Sequence, residues 1–216
     1  MGGGYTLLQR PHKGARSSAM SLDFKKLDKS VLEPARRSVV GPEGGSHFVY
    51  LYEDDESLVD AVTTFLAQGI KSGDIALVIA RPDHVEAFEA ALRASGLDLA
   101  EGWRTFDSSD LLATFMVDGM PVPSLFMESI GGLVQSAGPH GNVRVFGEMV
   151  ADLWTVGHIP AAMRVEELWN DLASIMSFEL FCAYPASVFR AADLLPLSEV
   201  CRQHTQVIPP TVKELP

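Results

Sequence analysis

The hydrophobic residues of this chain follow two patterns, short apolar runs and stripes with helical spacing. The run from Ile75 to Ala80 contains no polar residue, which is typical of a strand buried on both faces of a parallel sheet. Four other short apolar segments have the length and composition of strands: 47–52, 103–106, 143–148 and 178–184. The sequence therefore predicts a sheet of about five or more strands.

Between these runs, apolar residues recur every three or four positions, which predicts amphipathic helices. The clearest stripe covers 58–71, with Asp54 or Asp55 available as its N-cap and Gly73 as its C-terminal stop. Further helices are predicted over 110–116 and 124–137 and from Pro82 and Pro160 onward, with a loop through Trp154 and Gly157.

The helix predicted over 124–137 contains Gly131 and Gly132. Each glycine costs about 1 kcal/mol of helix stability relative to alanine. We therefore expect close backbone packing at this pair.

The regular alternation of strands and helices predicts the fold class. It favours an α/β domain with a mostly parallel sheet, right-handed crossovers and helices on both faces, a three-layer sandwich. In such sheets, ligands bind at the carboxyl ends of the strands. A functional site is expected at that edge.

The ends of the chain differ from its middle. Residues 1–45 are predicted to form a flexible basic arm, residues 46–190 the folded domain, and residues 191–216 a C-terminal extension. In the arm, a stripe at Met20, Phe24, Leu27 and Val31 predicts an amphipathic helix within 20–33. That helix docks on its own domain or on a dimer mate, or binds a partner or a membrane surface, or the arm is disordered. In the extension, a helix is predicted over 197–204 and a loose end from Gln206.

Charge is divided unevenly along the chain. Residues 1–45 carry eight Lys/Arg and four Asp/Glu, whereas the remainder carries nine and 24, for a net charge of −11. An acidic body argues against direct nucleic-acid binding, because duplex affinity rests on neutralising phosphates. No apolar run reaches the length of a membrane span, and two cysteines do not suggest a disulfide framework. We expect a cytoplasmic protein.

The turn after the first predicted strand is Glu53-Asp54-Asp55-Glu56. Many nucleotide-binding α/β proteins have a glycine-rich loop with a lysine there, which holds phosphate. Four carboxylates would instead repel a polyphosphate unless metal ions intervened. The acids cap the following helix or, as the alternative, bind Mg²⁺ or Ca²⁺.

Polar residues at the predicted strand ends define a candidate pocket rim. Glu148 follows an apolar strand, where we expect it to cap a helix or form a salt bridge with Arg81 or Arg144, to contact a ligand, or to act as a catalytic base. His47 begins the first strand, so it is expected across the sheet from this rim, as a structural histidine or a ligand contact. Cys182 is predicted to be a core thiol.

Several features together resemble the MEDS sensory domain, named from methanogen and methylotroph regulators. They are His47-x-x-x-Leu51-Tyr52-Glu53-Asp54, Gly69-x-x-x-Gly73-Asp74 with the strand after it, Gly147-Glu148-Met149, and Cys182-Ala-Tyr184. The resemblance covers about His47 to Phe189. It implies a RecA-like domain without the phosphate-binding loop, which senses small organic molecules such as hydrocarbon derivatives.

The resemblance and the strand ends together give a predicted ligand-binding set. Its members are His47, Tyr52, Glu53, Arg81, Glu148, Met149 and Tyr184. We assign no catalytic residue, no metal ligand and no cofactor. The implied partner is a regulatory protein such as a kinase, an anti-sigma-type protein or a transcription factor, and a homodimer is left open.

Three functions remain open from the sequence. The favoured one is a non-catalytic sensory module that binds a small, partly apolar ligand and relays the signal to a partner regulator. The alternatives are a degenerate metal- or nucleotide-dependent hydrolase using Glu148 and the Glu53–Glu56 acids, and a ligand-free interaction scaffold. None of the usual phosphate-binding, nucleophile-elbow or zinc-protease motifs is present.

Overall fold

A computed structural model describes residues 22–34, 45–190 and 193–210. Within these residues the chain forms a six-stranded parallel sheet and a separate two-stranded hairpin. The sheet strands are β1 (His47–Tyr52), β2 (Ile75–Ala80), β3 (Trp103–Asp107), β6 (Val143–Gly147), β7 (Glu179–Pro185) and β8 (Gln206–Ile208). Their order across the sheet is β3-β2-β6-β7-β1-β8. The hairpin is β4 (Met116–Val117) with β5 (Met120–Pro121).

Helices cover both faces of the sheet. They are α1 (Asp55–Ser72), α2 (Pro82–Ala94), α3 (Ser108–Phe115), α4 (Pro123–Phe126), α5 (Gly132–Ala137), α6 (Met149–Thr155), α7 (Ile159–Ala173) and α8 (Leu194–Arg202). One hydrophobic core lies under α1 and α2, and the other lies under α3 to α8. The predicted fold class, a three-layer α/β sandwich on a parallel sheet, is confirmed.

The local signals for strands and helices act as the sequence predicts in most places. All six residues of β2 are buried. Asp54 caps α1, and Gly73 ends it in the left-handed conformation at φ 82°, which costs glycine little. Asp107 caps α3 by accepting hydrogen bonds from the amides of Ser109 and Asp110.

The helix predicted over 124–137 is present, but its middle is a π-helical turn over Met127–Gly131 between α4 and α5. The expected close packing at its glycine pair is wrong for Gly132. A Cβ built on Gly132 would meet none of the described residues within 4 Å, and one on Gly131 would meet Leu172 at an ordinary 3.4 Å. This helix therefore carries a glycine that its packing does not require.

The predicted loop through Trp154 is wrong, because that segment is α6. Five of its seven residues are buried, so the helix has no polar face from which a 3.6-residue period could be recognised. The loose end predicted from Gln206 is also wrong for Gln206–Ile208. These residues form β8, which pairs in parallel with β1. Residues 211–216 lie outside the described part of the chain.

The stripe predicted as one helix within 20–33 instead forms two 3₁₀ turns, Phe24–Lys26 and Lys29–Leu32. Asp23 and Asp28 each cap one turn, which divides the segment into two short units. Phe24, Leu27 and Val31 pack against the chain's own core. Met20 lies outside the described residues.

Candidate functional site

A polar cluster lies at the carboxyl ends of β2 and β6, which are neighbours in the sheet. Its centre is Glu148, only 3% exposed. The carboxylate accepts hydrogen bonds from the backbone N–H of Arg81 and, at 2.6 Å, from Nδ1 of His84. Arg81 Nε also lies 3.5 Å from Oε1. Every one of these contacts links the start of α6 to the start of α2.

Arg144, the other predicted salt-bridge partner of Glu148, lies at the opposite end of β6. Its guanidinium contacts Asp74 at 2.9 Å and Glu179 at 3.1 Å. Glu148 is therefore paired with Arg81 and His84, and a buried carboxylate is tolerated because both of its oxygens have partners.

His84 is buried between Glu148 and Arg81. With Nδ1 donating to Glu148, its Nε2 accepts from Arg81 Nη2 at 2.7 Å, an arrangement that corresponds to the neutral ring. Burial lowers the pKa of His84, but the hydrogen bond and charge of Glu148 outweigh burial, so the pKa is raised above its ordinary value. Nε2 also lies 3.8 Å from a carboxylate oxygen of Asp55. Protonation of the ring would turn this nitrogen from an acceptor into a donor.

Two further groups extend the cluster. Asp152, one helical turn after Glu148, accepts a 2.6 Å hydrogen bond from the Ser108 hydroxyl. Burial, together with the Glu148 charge, raises the pKa of Asp152 to about 6. Burial and the Glu148 charge also raise the pKa of Tyr52, so the phenol stays protonated and can donate a hydrogen bond.

The turn between β1 and α1 is capped by its own side chains. The amide of Ser57 donates to the Asp54 carboxylate at 2.8 Å, and the Ser57 hydroxyl contacts the Asp54 backbone. Asp55 and Glu56 add negative charge to the first turn. A helix N-terminus binds anions through its free amides, and here a carboxylate already occupies that position.

The structure distributes the predicted ligand-binding residues over several places. Tyr52, Arg81 and Glu148 meet in the cluster, while Glu53 is exposed on the β1–α1 turn. Met149 is buried in the core under α6. His47 and Tyr184 lie in a second polar cluster on the other face of the sheet. The first cluster also contains three residues outside the predicted set: His84, Ser108 and Asp152.

The second cluster is wholly buried between α7, β1, β7 and the α8–β8 connection. Tyr184 donates to Glu166 at 2.7 Å, and the two imidazoles of His47 and His204 pack with ring centroids 4.0 Å apart. Burial raises the pKa of Glu166 to about 8 and lowers the pKa of His47 to about 4. Sequence reasoning missed Glu166 and His204. Glu166 does sit three residues before Trp169 and four after Ala162, a buried-face spacing that could have revealed it.

A surface groove of about 870 Å³ runs along α1 and the β1–β8 edge. Its floor is aromatic and aliphatic, with Phe48, Tyr50 and Ile208, and its rim includes Glu56 and Ser57. The ring of Tyr50 lies 6.3 Å from that of Tyr52. The groove lies on the face covered by α1, and its lining residues are distinct from those of the first polar cluster.

The fold and this edge of the sheet define a three-layer α/β domain with a polar cluster where such sheets hold ligands. A family model matches residues 46–205, described as MEDS: MEthanogen/methylotroph, DcmR Sensory domain. The chain belongs to the MEDS family of sensory domains. This confirms the resemblance stated from the sequence.

No curated protein matches the chain. A solved structure from Pyrococcus horikoshii OT3, described as a structural study, is similar with a TM-score of 0.48 and 13% identity, covering 77% of this chain and 82% of that one. Among the described residues, no helix is both long enough and apolar enough to cross a membrane.

Proposed function

We propose that this chain is a non-catalytic sensory module that binds a small, partly apolar organic ligand at the carboxyl edge of its sheet. The observation that carries the proposal is the Arg81–His84–Glu148 network, which gathers a cation, an imidazole and a carboxylate at that edge. Membership of a family of sensory domains supports a signalling role. The cytoplasm is the proposed location.

The ligand class follows from the surfaces around the network. Tyr52 offers a protonated phenol, and Tyr50, whose ring lies 6.3 Å from that of Tyr52, lines a groove with an apolar floor. Pockets for small molecules combine apolar walls with a few placed polar groups. The capped, acidic start of α1 disfavours a polyphosphate. A one-carbon or short-chain hydrocarbon derivative with one polar group fits these surfaces.

The relay follows from where the network is anchored. Glu148 is the N-cap of α6, and Arg81 is the N-cap of α2. A ligand that takes a hydrogen bond from Arg81 or gives one to Glu148 competes with the link between the two helices. A shift of α2 against α6 is the signal that a partner regulator, such as a kinase, an anti-sigma-type protein or a transcription factor, would detect. A homodimer is compatible with this relay.

Thermal unfolding of the full chain against a panel of small molecules tests the proposal. The panel contains methanol, methylamine, dichloromethane and short-chain ketones, with ATP, GTP and Mg²⁺ included. A ligand at about 100 times its Kd stabilises by about 2.7 kcal/mol, which raises Tm by several degrees in a chain of this size.

Variants locate the effect. Glu148→Gln and Tyr52→Phe should each remove the shift, whereas Glu101→Gln, on an exposed glutamate, should keep it. Circular dichroism verifies that each variant folds. A large shift with Mg-nucleotide and none with the organic compounds would overturn the proposal.

A further inference from the structure

The second polar cluster brings four metal-ligand side chains to one point. His47, Glu166, Cys182 and His204 are all buried, and their ligand atoms lie within 4.8 Å of one another. They come from β1, α7, β7 and the connection after α8, so the fold converges on this point from four separate elements.

Four of the six distances between these atoms match a tetrahedral metal site, and all six lie within 4.8 Å. Bonds of about 2.0–2.3 Å in a tetrahedron place the ligand atoms about 3.3–3.8 Å apart. His47 Nε2 lies 3.4 Å from Cys182 Sγ, and Glu166 Oε2 lies 3.5 Å from His47 Nε2. Glu166 Oε2 is also 3.5 Å from His204 Nε2 and 3.8 Å from Cys182 Sγ.

The hydrogen bonds around His47 determine which of its ring nitrogens is unprotonated and presents a lone pair to the cluster. The amide nitrogen of Asn170 donates to both the backbone and the side-chain carbonyl of Gln203, so its oxygen must face His47. That oxygen lies 3.0 Å from Nδ1 of His47 and can only accept. Nδ1 therefore carries the proton, and Nε2 of the neutral ring presents its lone pair to the cluster.

The same logic holds for His204. Its Nδ1 lies 2.7 Å from the backbone carbonyl of Val200, which can only accept, so Nε2 again carries a lone pair. Within the described part of the chain this buried Nε2 has no hydrogen-bond partner. Histidines that bind metal are held in this way, with the second nitrogen donating to a carbonyl or amide oxygen.

Hydrogen bonding within the cluster does not supply a partner for Nε2 of His204. A protonated Glu166 could donate to only one histidine, and 3.5 Å is too long for an O–H···N bond. The hydroxyl of Tyr184 already satisfies the other oxygen of Glu166, so Oε2, which contacts only Cys182 Sγ and the two imidazoles among the described residues, is the ligand atom.

Charge also balances. One carboxylate, one thiolate and two neutral imidazoles carry a charge of −2, so a divalent cation makes the buried site neutral, which a low-dielectric interior requires. Imidazole, thiolate and carboxylate together suit zinc and similar first-row ions better than Mg²⁺ or Ca²⁺.

We propose that His47, Glu166, Cys182 and His204 bind one divalent transition-metal ion, of which Zn²⁺ fits best, in a closed structural site. The sequence alone predicts no metal ligand, and the site is recognised only from the packing of the chain. All four positions come from protein side chains, as in structural rather than catalytic zinc sites. The ion ties His204, just before β8, to β1, α7 and β7 and so fastens the last strand to the sheet.

Metal analysis of the full chain tests this site. The chain is purified from zinc-supplemented medium, dialysed and assayed by mass spectrometry, and a cobalt-loaded sample is examined by absorption. We expect about one Zn²⁺ per chain and, with Co²⁺, a thiolate-to-cobalt charge-transfer band together with the intense d–d bands of a four-coordinate ion. A folded chain that retains less than about a tenth of an equivalent of Zn²⁺ would overturn the proposal.

Variants identify the ligands. Cys182→Ser should abolish the charge-transfer band, and His204→Gln should remove most metal binding. Cys201→Ser, at the other buried free cysteine, and His158→Gln, at an exposed histidine, should change neither. Asn170→Ala should weaken Zn²⁺ affinity by about 10–100-fold while leaving the charge-transfer band in place. A band that survives Cys182→Ser, or that disappears in Cys201→Ser, contradicts the assignment, and the wild-type measurement decides the case if a ligand variant does not fold.

Discussion

At the scale of single residues, the two carboxylates of the first polar cluster have different hydrogen-bond partners. Glu148 is buried with partners on both oxygens, whereas Asp152 is half-buried with a single neutral donor, Ser108. Burial, with the Glu148 charge after it, raises the pKa of Asp152 to about 6. At neutral pH, Asp152 is therefore an ionised group held at some cost in stability.

Asp152→Asn tests this cost. The pKa of Asp152 in the folded chain, about 6, lies above the 3.8 of an ordinary aspartate. Its contribution to stability is therefore fully present below about pH 4 and lost as the pH rises through about 6. An asparagine side chain cannot ionise, so the variant should be more stable than wild type at pH 7.5 by on the order of 1–2 kcal/mol.

Urea unfolding at pH 4 and pH 7.5 measures the difference. The gain should vanish at pH 4, and Asp171→Asn, on an exposed carboxylate of α7, should show no such pH dependence. An equal effect of Asp152→Asn at both pH values would contradict the assignment.

The residues at adjacent strand ends could be grouped from the sequence, but the members of the second cluster could not. Arg81 and Glu148 follow adjacent strands and meet as expected from a parallel sheet. The sequence predicts His47 across the sheet from the rim, and it lies in the second cluster. Its partners Glu166 and His204 are 119 and 157 residues away by their numbers, and only the packing of α7 and α8 brings them together.

At the scale of elements, two helical glycines have opposite roles. A Cβ on Gly69 in α1 would lie 2.3 Å from Cδ and 2.6 Å from Nε of Arg144. Arg144 is held there by Asp74, Glu179 and the carbonyl of Phe65. In the part of the chain that the structure describes, a Cβ on Gly132 in α5 would meet no atom within 4 Å.

Paired substitutions test this contrast. Gly69→Ala should lower the free energy of unfolding by about 1–3 kcal/mol, because Arg144 must leave its ion pairs. Gly132→Ala should raise the free energy of unfolding by up to about 1 kcal/mol, through helix propensity alone. Chemical unfolding of both variants measures the difference, and two effects of the same sign would contradict the packing described here.

Elements with a strong period or a marked cap were predictable, and those without were not. The Asp54 cap and Gly73 stop delimit α1 in the sequence. Helix α6 has too few polar residues to show a face, and β8 has only three residues. The two 3₁₀ turns before β1 keep the apolar spacing of a helix, but their own aspartate caps interrupt it.

At the scale of the whole molecule, β8 completes the sheet beyond β1. Val207 packs against one core and Ile208 against the other. Strand β1 is six residues long, with five of them buried. Without β8 it would be an exposed apolar edge, which is a template for pairing with other chains.

Truncation tests the role of β8. A chain ending after Thr205 should lose on the order of 1–3 kcal/mol of stability and self-associate through β1. A chain ending after residue 210 should behave as wild type. Light scattering after size exclusion and thermal unfolding measure both effects, and a monomeric, fully stable chain ending at Thr205 would show that β8 is dispensable.

The parallel sheet brings the strand ends together, and the turn after β1 is capped and acidic. The most direct test is a crystal structure of the chain purified straight from cells, with density inspected beside Glu148. We expect a small organic molecule in contact with Glu148, Arg81 or Tyr52. A nucleotide with its phosphates at the Glu53–Glu56 turn would contradict it.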